Sequence, residues 1–116
     1  MTTQTPAVSI STLFQTLSVP PRPEILLAIG KGEACVCHLE AALGHRQAYI
    51  SQHLMALREA NLLETRREGR FVYYRLADRR ILKLLVQAGE VLGTPVEEQP
   101  APSFACECPN CVSERD

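Results

Sequence analysis

Five cysteines fall into two short clusters that lie far apart in the chain. Cys35 and Cys37 are separated by one residue, and Cys106, Cys108 and Cys111 form the second cluster. Clustered cysteines in a protein that is not secreted are more typical of metal or redox sites than of structural disulfides. No apolar run approaches the ~20 residues of a membrane helix, and the first residues carry no secretion signal. We therefore expect a cytoplasmic protein with a thiol site.

The number of thiols limits the kind of ion that the chain can hold. Cys35 and Cys37 supply two thiolates, whereas arsenite, antimonite or lead prefer three soft ligands, and cadmium or zinc prefer four. The tail cysteines can provide the rest, and we expect the tail to fold onto the pair, from the other subunit of a dimer. The predicted ligand set is Cys35, Cys37, Cys106, Cys108 and Cys111.

The spacing of the pair constrains its backbone. Residues at i and i+2 of a regular helix point ~200° apart, because each residue turns the helix by ~100°. Cys35 and Cys37 can therefore reach one ion only if the helix start is distorted, or if both lie in an irregular first turn. A helix start also favours the negatively charged thiolate.

Helical periodicity accounts for the first half of the chain. Apolar residues from Ile10 to Leu17 recur at helical spacing and predict an amphipathic helix. Turn and cap residues then divide the next segment into helices over Glu24–Ile29, Cys35–Leu43 and Arg46–Ala60. Gly44 lies in the short turn between the last two of these helices. The pair of helices around it predicts a helix-turn-helix.

The second half predicts a hairpin, a helix and a tail. Leu62–Arg67 and Phe71–Leu76 are strand-like and flank a turn that contains Gly69. A final helix from Asp78 to about Leu92 is apolar on more than one face, which indicates a partner subunit. The expected fold is mainly α with a β-hairpin wing, a dimeric winged helix-turn-helix over residues 1–93. Residues 94–116 form a cysteine-containing tail.

Charge is unevenly distributed along the chain. The net charge is −1, yet residues 46–83 hold nine basic and four acidic side chains. Residues 86–116 hold six acidic side chains and one basic side chain. The basic middle is either a phosphate-facing surface or a solvated face beside an acidic tail, and charge alone does not decide between them.

Three segments carry motifs that occur together in a known family. They are Glu33–Leu39 around the cysteine pair, Ile50–Leu62 in the long helix, and Arg66–Leu76 across the hairpin. In this order and spacing they resemble the ArsR/SmtB family of metal-responsive repressors, over roughly residues 24–92. The resemblance implies a homodimer that binds double-stranded DNA at an inverted-repeat operator and is released by a thiophilic ion. It implies no organic cofactor, no membrane partner and no enzyme activity.

The same resemblance identifies candidate DNA contacts on the long helix and the wing. They are Arg46, Gln47, Tyr49, Ser51, Gln52, His53, Arg66, Arg67 and Arg70. Glutamine suits adenine edges in the major groove, and arginine suits phosphates. His53 could instead lie half-buried against the preceding helix.

The chain departs from the family pattern at several positions, and residues 1–34 lack the N-terminal cysteines with which other members complete the site. Glu40 stands where arsenite-sensing members often carry a third cysteine, and Arg79 and Arg80 follow Asp78 on a last helix that has no histidine. The zinc site of the last helix is therefore predicted to be absent. Any missing ligands must come from the tail.

Three other interpretations remain open from the sequence. The first is a redox or persulfide sensor in which Cys35 or Cys37 pairs with a tail cysteine. The second is a constitutive repressor with a structural zinc. The third is a thiol-disulfide enzyme that uses Cys108 and Cys111, which would need a βαβ scaffold that the pattern does not predict.

Overall fold

Residues 5–96 form five helices and one hairpin, as the sequence predicts. A computed structural model describes residues 5–96, and the tail cysteines of the expected ligand set lie outside this range. The elements are α1 (Pro6–Leu17), α2 (Pro21–Ile29), α3 (Val36–Leu43), α4 (Gln47–Glu59), β1 (Leu63–Glu68), β2 (Phe71–Leu76) and α5 (Arg80–Val91). The α3–α4 pair with the β1–β2 hairpin is the winged helix-turn-helix of the expectation.

Local residues explain where the helices begin and end. Thr5 caps α1 by accepting a hydrogen bond from the amide of Val8. The start of α2 lies at Pro21, three residues before the predicted one, because proline suits the first helical position, where an amide hydrogen has no partner within the helix. Gly44 ends α3 with φ 71°, and Asn61 follows α4 with φ 62°, both in the left-handed conformation typical of helix ends.

The hairpin turn is one residue shorter than the sequence suggests. Glu68 pairs with Phe71, so the turn consists of Gly69 and Arg70 alone, and Gly69 has φ 61°. Positive φ at the first turn residue suits a two-residue hairpin, whose twist matches that of its strands. On the other side of β2, Ala34 forms an antiparallel bridge with Tyr74. The residue before Cys35 is therefore joined to the two-stranded sheet by a single bridge.

The core lies between α2, α3, α4 and the start of β1. Its fully buried side chains are Ile25, Leu26, Leu39, Ile50, Leu54 and Leu57. The apolar stripe predicted for α4, Ile50, Leu54 and Leu57, faces this core as expected. Burial of such side chains contributes about 1.5–3 kcal/mol each, so this cluster holds the helix-turn-helix together.

Helices α1 and α5 contain no buried residue. They contact the edge of this core through the partly buried side chains of Leu13, Leu17, Ile81 and Leu85. At the end of α5 the chain turns back, and the amide of Thr94 donates a hydrogen bond to Gly89 O. A Cβ at Gly89 would lie 2.7 Å from Thr94 O, so glycine allows this close return. No helix among residues 5–96 has the length and apolar character needed to cross a membrane.

Candidate functional site

The cysteine pair converges at the start of α3. Cys35 is the residue that precedes the helix and has extended backbone angles (φ −88°, ψ 170°), while Cys37 lies in the first turn. The two Sγ atoms are 3.0 Å apart. The sequence-based argument required either a distorted helix start or an irregular first turn, and the extended conformation of Cys35 satisfies it. Two sulfurs brought together in this way can both bind a single ion.

The surroundings of the pair are apolar and partly closed. Cys35 is 4% exposed and packs with Tyr73, which is fully buried. Cys37 and Phe71 are half-buried beside them. One side of the pair is therefore covered by the wing, and Cys37 is less deeply buried than Cys35.

The described residues do not complete a metal site. Within residues 5–96, no group of three or more histidine, cysteine, aspartate or glutamate side chains lies close enough to hold an ion. The two cysteine sulfurs at α3 are of the donor type that a thiophilic ion prefers, but they fall short of its preferred ligand number. The other three predicted ligands, Cys106, Cys108 and Cys111, lie outside the described range, so their role stays a prediction.

Helix α4 presents a polar outer face. Arg46, Gln47, Tyr49 and Gln52 are exposed, and Ser51 is half-buried. The side chain of Arg46, the residue that precedes α4, makes no capping hydrogen bond to the first amides of the helix. The N-terminus of a helix attracts anions such as phosphate. This face has the hydrogen-bond donors and the positive helix end that a recognition helix needs. The assignment of individual DNA contacts stays a prediction.

His53 lies inside the motif. It is 6% exposed, and its Nδ1 accepts a hydrogen bond from Arg22 Nε at 3.2 Å. Arg22 also donates to the carbonyl of Thr16 at 3.1 Å, so one guanidinium connects α1, α2 and α4. Burial, followed by the positive charge of Arg22 and then His45, lowers the pKa of His53 below its ordinary 6.5. The alternative of a packed ring fits this burial, and DNA contact by His53 stays a prediction.

A short aromatic row connects His53 to the surface. The rings of Tyr49 and His53 meet edge to face with centroids 4.7 Å apart, and the rings of His45 and Tyr49 are 4.9 Å apart. The three residues are four apart in sequence and therefore share one side of the start of α4. The row fixes the orientation of Tyr49, which is one of the predicted DNA contacts.

The wing arginines have different surroundings. Arg66, Arg67 and Arg70 are all exposed. Arg66 donates to both carboxylate oxygens of Glu33, at 2.9–3.3 Å, and to Glu68 at 3.2 Å. These bonds raise the pKa of Arg66 further above its ordinary value. Arg70 lies over the ring of Phe71, with its guanidinium carbon 5.2 Å from the ring centre.

Sequence reasoning missed three residues that organise the site. Glu33, Tyr73 and Arg22 were not nominated, yet they hold Arg66, cover Cys35 and fix His53, respectively. Tyr73 could have been identified from its position on the inward side of an alternating strand. Glu33 and Arg22 act on residues more than thirty positions away, and no local pattern reports such a pair.

Two apolar surfaces remain open in the single chain. On α1, Val8, Ile10 and Phe14 are about half exposed, and on α5 and just beyond it Val91 and Leu92 are 83% and 75% exposed. Exposed apolar side chains that share one surface are typical of an interaction site.

The fold and motifs match known transcriptional regulators. The family model described as bacterial regulatory protein, arsR family, matches residues 20–65. A biofilm growth-associated repressor of Agrobacterium fabrum is 36% identical over 78% of each chain. The arsenical resistance operon repressor of Escherichia coli is 46% identical over 56% of this chain and 56% of its own length. The chain thus spans only about half of that arsenic regulator.

Solved structures agree with the sequence relatives. The transcriptional repressor BigR of Xylella fastidiosa is 33% identical with a TM-score of 0.69, over 73% of this chain and 87% of that chain. A homodimeric winged helix-turn-helix domain from Mycobacterium bovis is 27% identical with a TM-score of 0.67, over 86% of this chain and 97% of that chain. These relatives are DNA-binding regulators and not enzymes. The chain belongs to the ArsR/SmtB family of transcriptional repressors.

Proposed function

We propose that this repressor is a homodimer that releases its operator when a thiophilic ion binds Cys35 and Cys37. The observation that carries the proposal is the convergence of the two sulfurs at the start of α3, 3.0 Å apart. Arsenite, antimonite, cadmium and lead all favour sulfur ligands, so the donor type selects this class. The arsenic and SmtB repressors among the relatives support an ion as the inducer.

The tail completes the ligand set in this proposal. Two thiolates are too few for any of these ions, and Cys106, Cys108 and Cys111 are the remaining cysteines in the chain. Binding of arsenite is a ligand exchange: each thiol gives its proton to a hydroxide on arsenic, and the sulfur takes the place of the departing water. The oxidation state of arsenic does not change, so no reductant is needed.

DNA binding is assigned to α4 and the wing. The exposed glutamines Gln47 and Gln52 suit base edges in the major groove. Arg46 at the start of α4 and Arg67 and Arg70 on the wing suit phosphates. In a symmetric dimer, two such helices enter successive major grooves about 34–36 Å apart, which requires an inverted-repeat operator.

The homodimer is assigned to the open apolar surfaces of α1 and α5. Both helices lack buried residues in the single chain although both carry large apolar side chains. The homodimeric relative of the same fold supports this arrangement. In this proposal, the tail of one subunit completes the thiol site of the other.

The test is a titration of operator release in reduced, metal-free protein, followed by fluorescence anisotropy of labelled DNA. We expect arsenite or cadmium to lower DNA affinity by about 5- to 150-fold, the usual range of allosteric coupling. Deletion of residues 103–116 should reduce the affinity for the ion and leave ion-free DNA binding intact. If the deletion variant binds the ion with full affinity, the tail cysteines are not ligands of the ion.

The convergence of the two cysteine side chains also supports a second candidate, a redox switch. Here Cys35 or Cys37 forms a disulfide with a tail cysteine. The two thiols transfer two electrons and two protons to a peroxide, which is reduced to two hydroxyl products, two waters in the case of hydrogen peroxide. Release of DNA by peroxide in chelated buffer, together with no release by any thiophilic ion, would favour this candidate.

A further inference from the structure

We infer that the thiol pair acts on DNA binding through the wing, by means of a clasp that consists of Glu33, Ala34, Arg66, Tyr73 and Tyr74. The inference rests on the proposed function and specifies how the signal leaves the thiol site. It makes Glu33 a positioning residue, which acts on DNA through Arg66. Three observations carry it.

The first observation is a backbone connection between the thiol segment and β2. The amide of Ala34 donates to Tyr74 O at 3.0 Å, and the amide of Tyr74 donates to Ala34 O at 2.8 Å. Cys35 is the next residue in the chain. Because both polar groups of Ala34 are committed to the wing strand, a displacement of the Cys35 backbone must either move β2 or break these bonds.

The second observation is the packing of Cys35 itself. Its side chain is buried against Tyr73, which lies on the inner face of β2 and is fully buried. Close-packed interiors transmit displacements because they contain little free space. A sulfur that moves to meet an ion and its further ligands therefore changes the packing of Tyr73.

The third observation is the bidentate ion pair across the same boundary. Arg66 on β1 reaches both oxygens of Glu33, and its guanidinium carbon lies 4.6 Å from the centre of the Tyr73 ring. The fork of an arginine on a carboxylate fixes direction as well as distance. Glu33, two residues before Cys35, thereby holds the stem of the wing beside Arg67 and Arg70.

These contacts favour the wing over α4 as the first receiver of the signal. The bonds of Glu33 and Ala34 and the packing of Cys35 all lead to the wing strands. The connection of α3 to α4 lies at the opposite end of α3, through Gly44 and His45. The recognition helix is also held by the core residues Ile50, Leu54 and Leu57, which resist a small displacement.

The structure offers a matched pair of variants. Glu33 and Glu68 each bond to Arg66, but Glu68 lies on β1 and has no part in the thiol segment. Glu33→Gln and Glu68→Gln each remove one carboxylate charge that pairs with Arg66. Only Glu33→Gln loosens the clasp.

The functional arm measures the ratio of operator dissociation constants with and without sodium arsenite. We expect Glu33→Gln to reduce this ratio at least threefold relative to wild type, with arsenite affinity kept, and Glu68→Gln to leave it unchanged. Equal ratios in the two variants would overturn the clasp. They would mean that Glu33 acts only through its charge beside Arg66, as Glu68 does.

The structural arm follows hydrogen exchange at the amides of Ala34 and Tyr74. Arsenite, or alkylation of Cys37 by iodoacetamide in metal-free protein with serine at the three tail cysteines, should accelerate exchange at both amides. The amide of Leu54 in the core is the control and should keep its rate. If arsenite and cadmium do not release wild-type protein from the operator, the proposed function fails. Hydrogen exchange in the alkylated protein still tests the clasp in that case. Unchanged exchange at Tyr74 after alkylation would overturn it.

Discussion

The beginnings of α3 and α4 differ in a way that separates two tasks. Neither helix start has a side-chain cap. Cys35 at the start of α3 is buried, and its neighbours are bonded to the wing, whereas Arg46 and Gln47 at the start of α4 are exposed. A helix start that faces solvent can bind an external anion, and one that is packed inside can pass on a displacement. The first suits DNA contact, and the second suits a signal.

The largest change in DNA binding should come from a substitution on the exposed face of α4. Gln52→Ala removes a candidate base contact, and a lost bidentate contact costs about 1–3 kcal/mol of discrimination. We expect operator affinity to fall by this amount while binding to unrelated DNA hardly changes. Anisotropy with both DNAs measures the difference, and the unrelated DNA is the control. An equal loss on both DNAs would mean that Gln52 does not contact a base.

A smaller and more uniform effect is expected at the wing. Arg67→Gln removes one charge that is assigned to a phosphate, so affinity should fall similarly for every DNA sequence. The slope of log affinity against log salt should become shallower by about 0.9 per phosphate contact. Arg58→Gln, at the far end of α4, is the control. If the salt dependence of Arg67→Gln equals that of wild type, Arg67 does not contact a phosphate.

The smallest effect concerns stability and His53. The native pKa of His53 is lowered below 6.5 by burial, so the native protein binds fewer protons than the unfolded chain. Stability from this group is present above pH 6.5 and decreases as the pH falls below 6.5 towards the native pKa. We expect wild type to lose more Tm between pH 7.5 and 5 than His53→Gln. His38→Gln is the control and should follow wild type; equal losses in all three proteins would contradict the assignment.

The sequence predicts most of the fold because its signals are local. Helical spacing, glycines such as Gly44 and the asparagine at position 61 mark the elements within a few residues. The spacing of Cys35 and Cys37 predicts a site and the condition for its convergence. The contact of Glu33 with Arg66 is beyond such reasoning, since it joins residues 33 positions apart through the tertiary fold. The bridge between Ala34 and Tyr74, directly before Cys35, likewise joins residues far apart in the sequence.

The measurement that tests the account most directly compares wild type with Cys37→Ser in the anisotropy titration with arsenite. Cys37 lies in the first turn of α3, and serine keeps its size while it removes the soft donor. We predict that Cys37→Ser binds the operator like wild type without arsenite and is no longer released by it, while Glu40→Gln on the same helix responds normally. Normal release of Cys37→Ser by arsenite would contradict the assignment of the thiol pair as the inducer site.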